Sequence, residues 1–290
     1  MQSFNTFLKE ETFLSEESEA LLEKLITFGG KAYPKFGNIV IMAGGAGSGK
    51  GFILSNLVGI EGKTFDVDEL KKLAAKTPAI QKRVMDELGV DIFKLSQNLK
   101  DPKNVEKLHE IIGIYLKTDK NKEKLFYRSV LTAPADRKPN IIFDMTFKEL
   151  SKLEKVANDA SKLGYDKKNI HIVWVVNDIE VAKAQNAKRA RVVPTEILVN
   201  THRGAANTMG DIINMGNKLK KYMDGDIVFA FNKVGVDANL AKSGKGGSYV
   251  KDANYFYVKR AGKPPTPVDK LDKEIRSKIA GYVPKNVDWN

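Results

Sequence analysis

The sequence predicts an α/β protein whose core is a mostly parallel sheet flanked by helices. Short apolar runs alternate along the chain with longer segments of helical character. Continuous apolar runs, unlike alternating ones, are typical of strands that are buried on both faces. Strands separated by helices indicate βαβ units, and therefore parallel pairing. The runs expected to form strands are Ile39–Ala43, Thr64–Val67, Ile141–Phe143, Ile170–Val176 and Ile227–Phe231.

The composition excludes several classes of protein. Of the 290 residues, 42% are hydrophobic and 29% are charged, which excludes disordered, collagen-like and solenoid chains. The absence of cysteine excludes disulfide frameworks, thiolate zinc sites and cysteine nucleophiles. No apolar run approaches the roughly 20 residues of a membrane helix, and the opening MQSFNTFLKEE lacks the pattern of a secretory signal. We therefore expect a cytoplasmic protein without a membrane partner.

Changes of pattern along the chain predict three regions. Residues 1–35 are expected to form a helical arm, residues 36–235 the α/β core, and residues 236–290 a basic C-terminal extension. Within the core, a long helical stretch between the second and third strands predicts an insertion at about 75–135. This insertion is a natural place for a substrate-specific subdomain.

Local signals predict where several helices begin. Proline at the first helical position predicts helices opening at Thr77-Pro78 and Asp101-Pro102. Thr146 with Glu149, and Asn177 with Glu180, have the spacing of capping boxes. In the C-terminal extension we expect a β-hairpin that pairs Tyr249-Val250 with Tyr255–Val258, followed by a helix from about Val268 to Ile279.

The segment after the first strand carries the chemistry. It runs from Gly44 through four residues to Gly49-Lys50, which is the phosphate-binding loop (P-loop) pattern in all but its last position. Glycines allow backbone N–H groups to converge on a phosphate, and the lysine ammonium reaches the β- and γ-phosphates. The alternative is a plain glycine-rich turn. The residues expected to bind the nucleotide here are Gly44, Gly45, Ala46, Gly47, Ser48, Gly49, Lys50 and Gly51.

One position departs from the motif. Gly51 stands where the pattern has a Ser or Thr that ligates Mg²⁺. The metal ion would then depend on phosphate oxygens, water and carboxylates, which Mg²⁺ accepts because it keeps several water ligands. Ser48 is an alternative source of a hydroxyl.

Carboxylates follow the second and third strands, at the sheet edge where ligands bind in open parallel sheets. Asp68 is the candidate base that accepts a proton from an attacking hydroxyl. Asp144 and Asp66 are the candidate Mg²⁺ ligands. The alternative is that Asp66 or Asp68 only caps the next helix and that Asp144 only contacts Thr146.

Arginines after the fourth strand predict a lid at about 185–205. Arg189 and Arg191 precede Pro194, and His202-Arg203 follow on the next helix. Such side chains neutralise charge on a transferring phosphoryl group and exclude water. The alternative is an exposed basic helix end.

The order of these motifs resembles the zeta-toxin-like group of P-loop kinases over roughly residues 36–235. The matching residues are the loop with Lys50, the Asp-x-x-Lys stretch from Asp68, Asp144 with Thr146, and the Arg-x-Arg-x-x-Pro stretch from Arg189 to Pro194. The resemblance implies ATP or GTP as donor and a hydroxyl as acceptor, with Asp68 as base, Lys50 and Arg191 as phosphate binders and Arg189 as a second lid contact.

The positive charge of the protein indicates which class of acceptor substrate to expect. The net charge is +12, and residues 241–290 hold eleven Lys and Arg against five Asp and Glu. Aromatic residues interleaved with this positive charge, at Tyr249 and Tyr255–Tyr257, favour DNA or RNA as a partner. The resemblance implies one example of such an acceptor, hydroxymethylated pyrimidine in phage DNA, on which phage relatives in this group act. The alternatives are aromatics packed on the core, the UDP-N-acetylglucosamine acceptor of the toxins in this group, and a non-catalytic nucleotide-binding protein.

Overall fold

The structure, a computed structural model, describes most of the chain. The described residues are 26–31, 34–58, 60–66, 74–115, 127, 130–231, 240–242, 248–250, 255–271 and 273. Most of the predicted N-terminal arm, and Asp68, lie outside this set.

The core is a six-stranded sheet in the order β2-β3-β1-β4-β5-β8. All pairings are parallel except that of β8 with β5. The five predicted strands are confirmed to within one residue at either end. Three-residue strands β6 and β7 form a separate antiparallel pair. The strands are β1 Ile39–Ala43, β2 Lys63–Asp66, β3 Ile141–Asp144, β4 Ile170–Val176, β5 Ile227–Phe231, β6 Leu240–Lys242, β7 Ser248–Val250 and β8 Tyr255–Lys259.

Helices cover both faces of the sheet. On one face, Leu153 and Met209 pack with Ile39 and Ile41; on the other, Ile53 packs with Val40. Alternate residues of β1 therefore serve opposite cores, which explains its unbroken apolar sequence. Among the described residues before the C-terminal extension, the α-helices are α1 Lys50–Asn56, α2 Pro78–Leu88, α3 Ile92–Gln97, α4 Pro102–Leu108, α5 Ser151–Lys162, α6 Ile179–Lys188 and α7 Thr195–Asn214.

The segment between β2 and β3 has a hydrophobic cluster of its own. Helices α2 to α4 and a π-helical turn over His109–Tyr115 pack around Val84, Ile92 and Ile112. The predicted starts of α2 and α4 are confirmed, with Thr77 and Asp101 as the N-caps.

Strand order positions the functional site. From β1 the sheet continues to β3 on one side and to β4 on the other, so the crossovers diverge at the carboxyl end of β1. Ligands of open α/β sheets bind in the crevice that this divergence leaves. The loop after β1 therefore stands at the predicted place.

Two predicted capping boxes are wrong. Helix α5 begins at Ser151 rather than near Thr146, because Phe147 is buried in the core and turns the backbone to a φ of 54° before the helix. Helix α6 is capped by Asp178, whose side chain accepts from Glu180 N–H and Val181 N–H. Asn177 is not its cap.

The C-terminal extension pairs differently from the prediction. Strand β7 pairs with β6, whereas β8 joins the main sheet beside β5. The reason is packing, since the Phe256 ring contacts Phe229 and Phe231. The predicted C-terminal helix begins at Val268 and is described as far as residue 273. Within the described part of the chain, no helix has the length and apolar character to cross a bilayer.

Asp226, at the amino end of β5, connects three parts of the fold. Its carboxylate accepts from Gly29 N–H at 2.6 Å and Ala261 N–H at 3.0 Å, and it lies 3.1 Å from Nδ1 of the buried His171. Burial alone raises the pKa of Asp226, but the interactions with His171, Gly29 and Ala261 outweigh burial and lower this pKa.

We expect Asp226→Asn to lower the free energy of unfolding at pH 7 by about 2 kcal/mol, since an amide cannot accept from both N–H groups as a carboxylate does. Because the pKa of Asp226 is lower in the folded protein than its ordinary value of 3.8, the ionised carboxylate stabilises the fold at pH values above 3.8. This stabilisation is lost as the pH falls through the pKa of Asp226 in the folded protein. Urea unfolding at several pH values tests both points. A variant with the same acid slope as the native protein would contradict the assignment.

Candidate functional site

The loop between β1 and α1 needs its glycines for shape. Gly44, Gly47 and Gly49 have φ values of 144°, 76° and 90°. A β-carbon on Gly44 would stand 2.8 Å from Ser48 Oγ, and one on Gly47 would stand 2.7 Å from the carbonyl oxygen of Ala182. Other residues would strain or displace the loop, so its conformation follows directly from the sequence.

A cavity of about 300 Å³ opens above this loop. It is lined by Gly47–Gly51 together with Gln185 of α6 and Arg189. Helix α1 begins at Lys50, so the first N–H groups of the helix, which have no acceptor within it, belong to the lining. The cavity thus combines backbone donors with cationic side chains, as an anion site requires.

Lys50 lies within the loop. Its Nζ donates to the carbonyl oxygen of Gly44 at 3.0 Å and lies 3.6 Å from Asp144 Oδ1. The Lys50 side chain retains 13% exposure, so the ammonium is partly desolvated and close to the cavity floor. Such a cation interacts strongly with a phosphate that enters.

The candidate magnesium ligands occupy adjacent strand ends. Asp66 and Asp144 are register partners at the carboxyl ends of β2 and β3, and Met42 of β1 is the next partner of Asp144. The side chain of Asp66 lies outside the described residues. Where side chains are described, no three His, Asp or Glu residues form a metal cluster. One or two carboxylates are nevertheless what Mg²⁺ uses beside phosphate and water, so Asp144 fits this role.

The two loop positions discussed for a hydroxyl differ in exposure. Ser48 is fully buried, which argues against it as a substitute metal ligand. Gly51 is exposed, and a β-carbon there would meet nothing within 4 Å. Space for the missing hydroxyl is therefore present.

Helix α7 contacts the loop directly. Thr201 Oγ1 accepts from Ala46 N–H at 3.0 Å, and His202 Nε2 lies 2.8 Å from the carbonyl oxygen of Ala46. Burial lowers the pKa of His202; a hydrogen bond to Ala46 raises it, and the nearby Lys50 lowers it further. The net direction is downward, so the neutral ring is favoured.

The arginine-bearing segment, residues 189–191, is fixed by hydrogen bonds of the residues that flank it. Asn186, buried in α6, donates from Nδ2 to the carbonyl oxygen of Val193 at 2.7 Å and accepts from Val193 N–H at 3.0 Å. Val192 N–H donates to the carbonyl oxygen of Leu99, just after α3. Arg189 is exposed at the cavity wall, and Arg191 is half-buried. This segment therefore connects the cavity with the helices between β2 and β3.

A second cavity of about 350 Å³ adjoins the far side of the loop. It is mainly apolar, with Trp174, Val176 and Ile179 in its walls and Gly45 and His202 at the loop. Asn177 also lines it, which is where the structure places this side chain instead of at a helix cap.

The strand order and the glycine loop together characterise the architecture. The parallel core runs in the order β2-β3-β1-β4-β5, and a Gly-x-x-x-x-Gly-Lys loop joins β1 to a helix. The fold is P-loop kinase-like.

Comparisons with solved structures give distant likenesses. A structure of the PezAT chromosomal toxin–antitoxin system of Streptococcus pneumoniae is 12% identical, with a TM-score of 0.42, covering 77% of each chain. An AvrRxo1-ORF1:ORF2 structure with ATP is 10% identical, with a TM-score of 0.41, covering 92% of this chain and 69% of that one. The sequence matches no protein-family model and no curated protein.

Several contacts of the P-loop were not foreseen from the sequence. Gln185 lines the cavity, Asn186 holds the arginine segment, and Thr201 bonds to the loop. Each is a polar residue on a helix, and nothing in its local sequence distinguishes it from a solvent-facing one. Only the packing of α6 and α7 brings them to the site.

Proposed function

We propose that the protein is a phosphotransferase that moves the γ-phosphate of ATP or GTP to a hydroxyl group. The observation that carries this proposal is the P-loop, whose glycines line a cavity of about 300 Å³ together with Lys50 and Arg189. The loop's positive-φ glycines and the lysine at the start of α1 are the combination that binds a triphosphate.

Each site residue has a role in this reaction. Lys50 binds the β- and γ-phosphates, and Arg189 and Arg191 close over them and neutralise the developing charge. Asp68 accepts the proton of the acceptor hydroxyl. Asp144, with Asp66 beside it in the sheet register, would hold Mg²⁺, which would neutralise part of the charge on the phosphates.

For the acceptor we propose a nucleic-acid hydroxyl. Support comes from the net charge of +12 and from exposed Arg260, Lys263 and Lys270 in the C-terminal region. Phe256 and Lys259 do not contribute to such a surface, because Phe256 packs on Phe229 and the Lys259 ammonium is buried against Asp224. A sugar nucleotide such as UDP-N-acetylglucosamine is the alternative acceptor.

A transfer assay tests the proposal. The purified chain is incubated with γ-labelled ATP, Mg²⁺ and one of three acceptors: hydroxymethylated DNA, RNA with free ends, or UDP-N-acetylglucosamine. Label on either nucleic acid supports the full proposal. Label on the sugar nucleotide alone keeps the kinase and overturns the nucleic-acid acceptor. ATP binding without transfer to any of them would contradict the kinase assignment in favour of a nucleotide-binding protein.

Gly51 is the observation that favours this non-catalytic alternative, since the usual metal-ligating hydroxyl is missing. We expect Gly51→Ser to raise Mg²⁺-dependent ATP affinity several-fold, because the position is open and the added hydroxyl can ligate the metal. Titration calorimetry with and without Mg²⁺ measures the change. Gly51→Ala is the matched control without the hydroxyl, and equal effects of the two substitutions would show that no metal contact was restored.

A further inference from the structure

We infer that Thr201 and His202 are positioning residues that hold the P-loop in its phosphate-binding shape, and that Thr201 withdraws the Ala46 N–H from the phosphate-binding amides. The inference rests on the proposed nucleotide-binding function. Both residues belong to α7, the helix that follows the arginine segment and lies outside the loop motif.

Both backbone polar groups of Ala46, its N–H and its carbonyl, are engaged by α7. The Thr201 hydroxyl donates its single hydrogen to the carbonyl oxygen of Leu198 at 2.7 Å, so it acts as an acceptor toward Ala46 N–H at 3.0 Å. His202 Nε2 lies 2.8 Å from the carbonyl oxygen of Ala46. Because a carbonyl only accepts, Nε2 must carry the proton and donate it.

These contacts determine which backbone N–H groups of the loop can bind a phosphate. An N–H group that donates to Thr201 is not available to a phosphate oxygen, so the cradle is formed by amides further along the loop. These belong to Gly47, Gly49, Lys50 and Gly51 in the lining of the cavity of about 300 Å³, because Ser48 N–H donates to the carbonyl oxygen of Gly45 at 3.2 Å. A loop fixed in this way does not have to be ordered when the nucleotide binds, which improves affinity.

The His202 ring also explains why residue 45 is glycine, which the backbone conformation at that position does not explain. Gly45 has no positive φ, so its conformation is open to other residues. A β-carbon there would, however, stand 2.1 Å, 2.3 Å and 2.5 Å from three atoms of the His202 ring. The ring lies against the loop backbone and takes the space of a side chain.

Charge is consistent with a neutral imidazole as the donor. His202 is partly buried, and Lys50 is the cation that faces it across the loop. A neutral ring with its proton on Nε2 supplies the hydrogen bond without placing a second positive charge beside Lys50. The neutral ring therefore adds no charge repulsion to the lysine ammonium.

The anchoring is tested by binding with ADP and with inorganic tripolyphosphate, both with Mg²⁺. We expect His202→Ala to weaken both ligands about tenfold and Thr201→Val about fivefold, the loss of one hydrogen bond each. His202→Gln, whose amide can donate to the same carbonyl, is expected to recover most of the affinity, and so is Thr201→Ser. Asn200→Ala, exposed on the same helix, is the control.

A double substitution separates positioning from general damage to the fold. Gly45→Ala alone is expected to weaken ADP binding strongly, because its methyl group meets the His202 ring. In the His202→Ala background the same substitution should add no further loss. Additive losses would overturn the inference, as would unchanged affinity in His202→Ala. Failure of the unmodified protein to bind either ligand would instead refute the proposed function, and the inference with it.

Discussion

Replacement of Lys50 by Ala is expected to reduce phosphoryl transfer at least a hundredfold. The ammonium lies at the floor of the cavity, 3.0 Å from the carbonyl oxygen of Gly44 and 3.6 Å from Asp144. Removing an electrostatic contact of this kind commonly costs about 3 kcal/mol of transition-state stabilisation. Steady-state transfer from γ-labelled ATP to whichever acceptor is used measures the loss.

Two controls make the result specific to charge in the site. Lys152→Ala removes an exposed lysine from α5 and should leave turnover unchanged. Lys50→Met keeps the length of the side chain without its charge and should be as inactive as the alanine variant. Turnover that survives in either Lys50 variant, with the melting temperature unchanged, would remove the kinase proposal.

Replacement of Lys259 by Met is expected to have the largest effect on stability, about 3 kcal/mol less free energy of unfolding. The side chain of this lysine is 1% exposed, and Nζ is 2.9 Å from Asp224 Oδ1. The three N–H groups of the ammonium are shared among this carboxylate and the carbonyl oxygens of Asp224, Gly225 and Arg260, which lie 3.0 Å, 3.0 Å and 3.2 Å from Nζ. Methionine fills the space but leaves a largely buried carboxylate and three carbonyl groups without this donor.

The location of Lys259 separates this effect from function. It pairs with Ile227 at the amino end of β5, the sheet edge opposite the P-loop. Urea unfolding should therefore show the loss while ADP affinity of the folded variant stays unchanged. Lys263→Met, at an exposed lysine nearby, is the control, and a similar loss in both variants would contradict the buried-pair explanation.

Local pattern was sufficient for most of the core. Strands β1, β3, β4 and β5 were predictable because each is largely buried on both faces, so its apolar residues are consecutive and stand out from the helices. The starts of α2 and α4 followed from Thr77-Pro78 and Asp101-Pro102, where the backbone preference of proline acts within one turn. The errors at Thr146 and Asn177 arose where tertiary burial of Phe147, or the neighbouring Asp178, supplied a stronger constraint than the capping pattern.

The candidate site likewise combines features that a local motif predicts with features that depend on how distant segments pack. Positive φ at Gly44, Gly47 and Gly49 and the position of Lys50 at the start of α1 are consequences of a contiguous motif, and they were foreseeable. The prediction of Asp68 as base stays a prediction, since this residue lies outside the described part of the chain. The nucleic-acid contact expected of Phe256 is not supported, because this ring packs on Phe229 once β8 pairs beside β5.

The sequence by itself determined the sheet, the glycine loop and the chemistry that a lysine beside phosphate-binding amides can perform. Tertiary structure decided what lies against that loop: Thr201 and His202 on Ala46, Asn186 on Val193, and β8 beside β5. The physical reason is the distance along the chain over which each kind of interaction acts. Backbone preferences and hydrophobic periodicity act over a few residues and leave a local pattern, whereas a contact between Ala46 and His202 spans 156 positions and exists only after the helices have packed.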